Sequence, residues 1–145
     1  MTLAKEKRIG RIREVREEQR DQRIKELTDA QLEEARKQRE LDEARERTEL
    51  AARGREALGH EAAQPPDWHE VETWLMDQQD RERFAELARV EAAREVTMAR
   101  ERVAVAHKEV QRMDALLDIL VTARKKEEQR RERKLEDELA SRKRF

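Results

Sequence analysis

Cysteine is absent from this chain of 145 residues, and glycine (3), proline (2) and aromatic side chains (3%) are scarce. Without cysteine there is no disulfide framework and no thiol chemistry, which fits a reducing compartment. A β-rich fold needs turn residues every 8–12 positions or about that, and they are missing. No run approaches about 18 consecutive apolar residues, so nothing reads as a membrane span. The opening Met1-Thr2-Leu3-Ala4-Lys5-Glu6-Lys7-Arg8 is basic, but no apolar stretch follows to make a signal peptide. The expectation is a soluble, cytoplasmic protein. A surplus of one charge sign is also lacking: 34 basic and 35 acidic residues are interspersed for a net charge of −1. Each arginine-rich stretch also carries glutamate, and aromatics to stack bases are nearly absent, so no nucleic-acid partner is expected. Membrane-surface binding fails similarly, because neither helix joins a wide apolar face to a one-sign basic face, and no direct membrane insertion is expected.

What the chain does have is charge, 48% of all residues. Heavy use of Ala, Glu, Lys, Leu and Arg at helical spacing is the composition of long helices or coiled coils. Mixed charges three or four residues apart pair along a helix, which favours helix over a disordered chain. Eight apolar residues then run at alternating steps of three and four: Val96, Ala99, Val103, Ala106, Val110, Met113, Leu117 and Leu120. That is an unbroken heptad seam, the stripe one helix buries against another. Phe84, Leu87 and Val90 precede it and read as a slightly shifted start of the same stripe.

One segment breaks the pattern, Gly59-His60-Glu61-Ala62-Ala63-Gln64-Pro65-Pro66. A diproline cannot continue a helix, and Gly59 is placed to end one as a C-terminal cap. Asp67 then reads as an N-cap, Glu70 as its capping-box partner, and Pro66 with Val71 as a hydrophobic staple. The sequence predicts an all-α fold, a single long antiparallel two-helix coiled-coil hairpin over 1–145. Helix 1 spans about 4–58, the loop about 59–67 and helix 2 about 68–142. Helix 2 is the longer and overhangs, so its last turns lack an internal partner. Helix 1 offers Ile9, Ile12, Val15, Ile24, Leu27, Leu32, Leu41, Leu50 and Leu58, widely spaced, with Gly10 and Gly54 weakening its ends. The small alanines of the seam reduce buried area per turn, so a weakly stable coiled coil with a frayed or partner-dependent first helix is expected.

Charge is uneven along the chain. Residues 1–25 hold nine basic and five acidic side chains, a surplus of +4; residues 121–145 hold ten and six, again +4. Residues 60–101 hold five basic and eleven acidic, or −6. A hairpin therefore has a basic end where the termini meet and an acidic tip, a polarity that bears on partners.

Chemistry is hard to place. There is no glycine-rich phosphate loop, Ser141 is the single serine, and His60, His69 and His107 lack the spacing of a helical metal pair. No catalytic residue, cofactor site or metal site is expected, and an enzyme is rejected. Trp68, Trp74 and Phe84 fall within seventeen residues beside Leu75 and Met76. Two readings stand: Trp68, Val71 and Leu75 pack helix 2 onto helix 1, or Trp68, Trp74 and Leu75 form a partner-binding tip, since tryptophan is enriched in interface hot spots. In the second, Trp74 and Leu75 are the exposed pair.

The last turns read Arg130-Arg131-Glu132-Arg133-Lys134-Leu135-Glu136-Asp137-Glu138-Leu139-Ala140. This resembles the ending of the FliJ/YscO (SctO) family of type III secretion stalk proteins, whose C-terminal helices close on a Glu-x-Lys-x-x-Asp-Glu pattern. Glu132, Lys134, Asp137 and Glu138 fill it, with Arg133 where Gln is common. The motif covers about eleven residues, and the rest of the match is layout. The resemblance implies a non-enzymatic coiled-coil stalk, like the central subunit of rotary ATPases, linking the hexameric secretion ATPase to the cytoplasmic domain of the export gate. It also implies contact with export chaperones and a cytoplasmic place peripheral to the apparatus at the inner membrane. Residues 1–25 and 121–145, with Arg131, Glu132, Lys134, Asp137 and Glu138, would face the ATPase; the position and chemistry of Trp68, Trp74 and Leu75 make them candidates for the gate. A monomer in isolation is expected. The alternatives are a scaffolding coiled coil that dimerises through the Val96–Leu120 seam, and a regulator or chaperone that holds a client with its helices.

Overall fold

The computed structural model describes residues 2–61 and 67–143. They form two helices, α1 (Thr2–Glu61) and α2 (Trp68–Lys143), packed against each other in an all-α fold. Contacts divide the chain into two compact units, each a pairing of α1 with α2: Met1–Ile24 with Arg102–Phe145, and Lys25–Glu101.

Within Lys25–Glu101 the helices run antiparallel, and ion pairs fix their register. Arg45 Nε lies 3.8 Å from Glu82 Oε1, and ten residues further along α1, Arg55 meets Glu72, ten residues earlier on α2, at 2.5 Å. Between them the Thr48 hydroxyl reaches the Gln78 carbonyl at 3.2 Å and its own-helix Ala44 carbonyl at 3.0 Å. A side chain as short as threonine crosses to the opposite backbone because the buried positions beside it are small, Ala44 and Ala51. On α1 the covered positions are Leu27, Ala30, Glu34, Lys37, Leu41, Ala44, Thr48 and Ala51, at strict three–four spacing. On α2 they are Val71, Leu75, Gln78, Glu82, Ala85, Arg89, Ala92, Val96 and Ala99, with the same spacing. Among the described residues Leu41 is the one large side chain with no exposure at all.

The unit Met1–Ile24 with Arg102–Phe145 is also antiparallel, held by Arg13 to Asp114 and by Arg124 to Glu6 at 2.9 Å. Here α2 presents Val103, Ala106, Val110, Met113, Leu117 and Leu120, all buried or half-buried. The facing positions of α1 are Glu6, Ile9, Arg13, Arg16 and Arg20, so an apolar row meets mostly arginine stems. Arginine can lay its methylenes along apolar surface while its head reaches outward. The fit is incomplete, because the Nε atoms of Arg16 and Arg20 are buried with no hydrogen-bond partner. From Lys125 to Lys143, α2 is exposed at every residue, as its predicted overhang requires.

Several expectations are corrected. Helix α1 continues to Glu61, and Gly59 sits within it; no described glycine has positive φ, so there is no left-handed cap at Gly59. Pro65, Pro66 and the Pro66–Val71 staple lie outside the described residues. Helix α1 is one uninterrupted helix over Thr2–Glu61, and intrahelical pairs such as Arg13–Glu17, Arg36–Glu33 and Arg53–Glu49 run along it. Ile12, Val15, Ile24, Leu32, Leu50 and Leu58 are exposed, because the heptad rows that face α2 pass beside them. Phe84 and Leu87 are likewise outside the stripe, exposed at 71% and 66%. The residues of the row that lead into Val96 are instead Ala85, Arg89 and Ala92.

Asp67 caps α2. Its Oδ1 accepts the His69 and Glu70 backbone N–H groups at 3.1 and 3.3 Å, and its carbonyl accepts the Val71 N–H at 3.0 Å. Among the described residues no bond returns from the Glu70 side chain, so the capping box is half made. Asp67→Ala is expected to cost about 1 kcal/mol, read as a lowered midpoint in thermal unfolding followed by far-UV circular dichroism.

Candidate partner-binding surfaces

In the unit Lys25–Glu101, the start of α2 lies against the end of α1. Leu75, proposed from sequence as half of an exposed pair with Trp74, is 7% exposed and belongs to the packing. The reason is register: Leu75 stands four residues after Val71 and three before Gln78, on the row that faces α1. Trp74, one residue earlier, falls off that row and is half exposed. Trp68 shares the inward row, yet it stays 42% exposed because the residue beneath it is Gly59. A Cβ at Gly59 would sit 3.6 Å from Trp68 Cη2, so the indole end rests over bare backbone. Ala52, Arg55, Glu56, Gly59, His60 and Trp68 line a shallow notch there. Both sequence readings of this region thus hold in part: Val71 and Leu75 pack, while Trp68 and Trp74 leave large indole surfaces open.

In the other unit, the resemblance-bearing residues Arg131, Glu132, Lys134, Asp137 and Glu138 all lie on the exposed last turns of α2. Arg131 Nε sits 3.7 Å from Glu127 Oε1, and Arg130 pairs with the same carboxylate at 3.7 Å. Among the described residues the charges of Glu132, Lys134, Asp137 and Glu138 have no ion-pair partner. Leu135 and Leu139, one turn apart, are 59% and 57% exposed on this helix. The surface therefore offers unpaired charges of both signs beside an apolar pair. The heptad residues Val96, Ala99, Val103, Ala106, Val110, Met113, Leu117 and Leu120 are not available in this way, since all are buried or half-buried.

Sequence reasoning missed two features: the polar inner face of α1, and the outward Phe84–Leu87 pair. Heptad counting from Leu41 in both directions finds the first. Counting from Val96 backwards finds the second, because it leaves Phe84 and Leu87 off both inward rows.

Charged groups along α1 are mostly surface pairs. Arg36 donates to both Glu33 oxygens, at 3.0 and 2.6 Å. That hydrogen bonding, ahead of the positive charges of Arg36 and Lys37, holds the Glu33 carboxyl below its ordinary value. A depressed carboxyl stabilises the folded chain above its unfolded pKa, and the contribution is lost as pH falls through the folded value. Glu33→Gln should therefore lower helicity or melting temperature slightly at about pH 7 and leave it unchanged near about pH 2; equal effects at both would contradict it.

Among the described residues no group of three His, Cys, Asp or Glu side chains could hold a metal ion, and no helix is long and apolar enough to cross a membrane. No protein-family model, curated protein or solved structure matches this chain.

Proposed function

We propose that this chain is a non-enzymatic stalk of a type III secretion export apparatus, coupling the hexameric ATPase to the cytoplasmic domain of the export gate, with export chaperones as further partners. The observation that carries the reading is the exposed end of α2. The Glu132–Glu138 run that resembles the family ending stands on turns beyond Arg124, which pairs with Glu6 of α1, and among the described residues none of its six charges has an ion-pair partner. A surface of exposed charges gives weak, salt-screened contacts, suited to a shaft that changes partners within a ring. Trp68 and Trp74 supply the chemistry for a second partner in the other unit, and they are assigned to the gate. The place of action on this reading is the cytoplasmic face of the apparatus, at the inner membrane.

Binding of the full chain to the purified ATPase hexamer and to the gate domain tests this. Replacing Glu132, Lys134, Asp137 and Glu138 together by Ala should abolish ATPase binding and spare the gate. Trp74→Ala should weaken gate binding at least about tenfold, as hot-spot tryptophans do, and leave thermal stability unchanged. Wild-type binding to neither partner would sink the proposal. One observation favours a second reading, the scaffold that dimerises through Val96–Leu120: α1 covers the apolar α2 row with Arg13, Arg16 and Arg20, two of them with an unpartnered Nε. Light scattering separates the two, since the stalk reading requires a monomer.

A further inference from the structure

Apolar burial is unequal between the two units. Among the described residues, all the buried apolar side chains but one belong to Lys25–Glu101; the exception is Val110. The deficit lies with α1. Of its inward positions in the unit Met1–Ile24 with Arg102–Phe145, Ile9 is apolar, whereas Glu6, Arg13, Arg16 and Arg20 are charged. The α2 row beneath them is apolar throughout, yet Val103, Ala106, Met113, Leu117 and Leu120 stay only half-buried.

The polar groups of this stretch divide in two. Arg13 crosses to Asp114, and Glu6 accepts from Arg124 at 2.9 Å. Arg16 and Arg20 turn back to their own helix: Arg16 donates to Gln19 at 3.1 Å, and Arg20 to Glu17 at 3.5 Å and Asp21 at 3.4 Å. Their Nε atoms are left buried without a partner. A buried N–H with no acceptor keeps the whole of its dehydration cost, and opening returns it to water. Separating this stretch from α2 therefore loses less than separating the well-buried pairing of Lys25–Glu101.

We propose that residues 2–24 of α1 are a releasable strap over the Val103–Leu120 row: they open from α2 as one unit while the pairing within Lys25–Glu101 stays closed. The row then has two states, covered by α1 or bare to water. Ile9, the arginine stems and the two crossing ion pairs hold the covered state. Those pairs, Arg13–Asp114 and Arg124–Glu6, are partly open to solvent and add little against opening. The dehydrated Nε groups of Arg16 and Arg20 oppose it. The strap rests on the fold alone and stands whether or not the chain is a secretion stalk.

Hydrogen–deuterium exchange of the full chain, read by mass spectrometry, tests this. Amides of residues 6–20 should share one level of protection, at least about tenfold below that of 27–51, with a step near residue 24. Those of 103–120 should likewise be less protected than 85–99. Arg16→Leu with Arg20→Leu sets apolar side chains against the row; it should raise protection of 2–24 at least about tenfold and leave 27–51 unchanged. Gly10→Ala is a second variant, since its added Cβ meets nothing within 4 Å. It should raise protection about fivefold through helix propensity alone, and across the whole strap, because the strap opens together. Four results would overturn the proposal: protection of 2–24 equal to that of 27–51, a smooth rise along α1 with no step, a leucine variant that leaves 2–24 unchanged, or a Gly10→Ala gain confined to its neighbours. So would protection of 2–24 that falls as the chain is concentrated, which would mean that another copy takes the row.

Discussion

Val96→Glu should destabilise the fold by about 3 kcal/mol or more, the cost of an unpaired charge in a dry interface, whereas Val110→Glu should cost less than half as much. The two valines are alike by composition and burial, 3% and 2% exposed on the same row of α2. Their neighbours across the interface differ. The register set by Arg45 and Glu82 brings Val96 level with Gln31, between Ala30 and Glu34, so the nearest charge on the facing inward row is a like one. The register set by Arg13 and Asp114 brings Val110 level with Glu17, between the inward Arg16 and Arg20. Those arginines hold the two buried Nε atoms that lack a partner, and a glutamate there can accept from them. Urea unfolding followed by circular dichroism measures both variants. Equal losses would mean that Arg16 and Arg20 do not line the inner face opposite Val110.

Leu41→Ala is the second large effect, about 2–4 kcal/mol. Among the described residues Leu41 is the only large side chain buried without remainder, and around it the covered α1 positions are small or charged: Glu34, Lys37, Ala44, Thr48 and Ala51. Little nearby can collapse into the space it leaves, so the cavity cost adds to the lost transfer energy. Leu50→Ala and Leu32→Ala on the same helix remove side chains that are 57% and 65% exposed. They should stay within about 0.5 kcal/mol of the parent. Three identical substitutions on one helix thus separate by register alone. A ranking in which Leu50 or Leu32 exceeded Leu41 would place the wrong face of α1 inward.

The same register explains what was legible in the sequence. On α2 the inward rows between Val96 and Leu120 are apolar at every step, so letters and burial agree. On α1 the inward rows carry Glu6, Arg13, Arg16, Arg20, Glu34 and Lys37, and reading apolar letters finds the inward Ile9, Leu27 and Leu41 but mixes them with Ile12, Val15 and Leu50, which face outward. Long charged side chains can bury their stems, so composition hides a heptad that geometry keeps. Of the two readings of Leu75, the packed one holds, and the exposed one fails for the opposite reason. Closeness to the loop suggested exposure, whereas its distance of twenty-one residues from Val96, three whole heptads, fixes it on the buried row. Asp67 was legible because capping is a local interaction, decided within three residues. The exposed α2 end followed from unequal helix lengths, and the Trp68–Gly59 contact did not, since it joins residues on two helices.

A stalk that leaves both of its ends to partners depends on a seam that closes within one chain. Spin labels at positions 45 and 82, introduced as cysteines into a chain that has none, measure this directly by double electron–electron resonance. The account predicts one short distance, the helix spacing of about 8–10 Å extended by the label arms, unchanged when labelled chain is diluted into excess unlabelled chain. Loss of that distance on dilution would mean that the seam closes on another copy, and would contradict it.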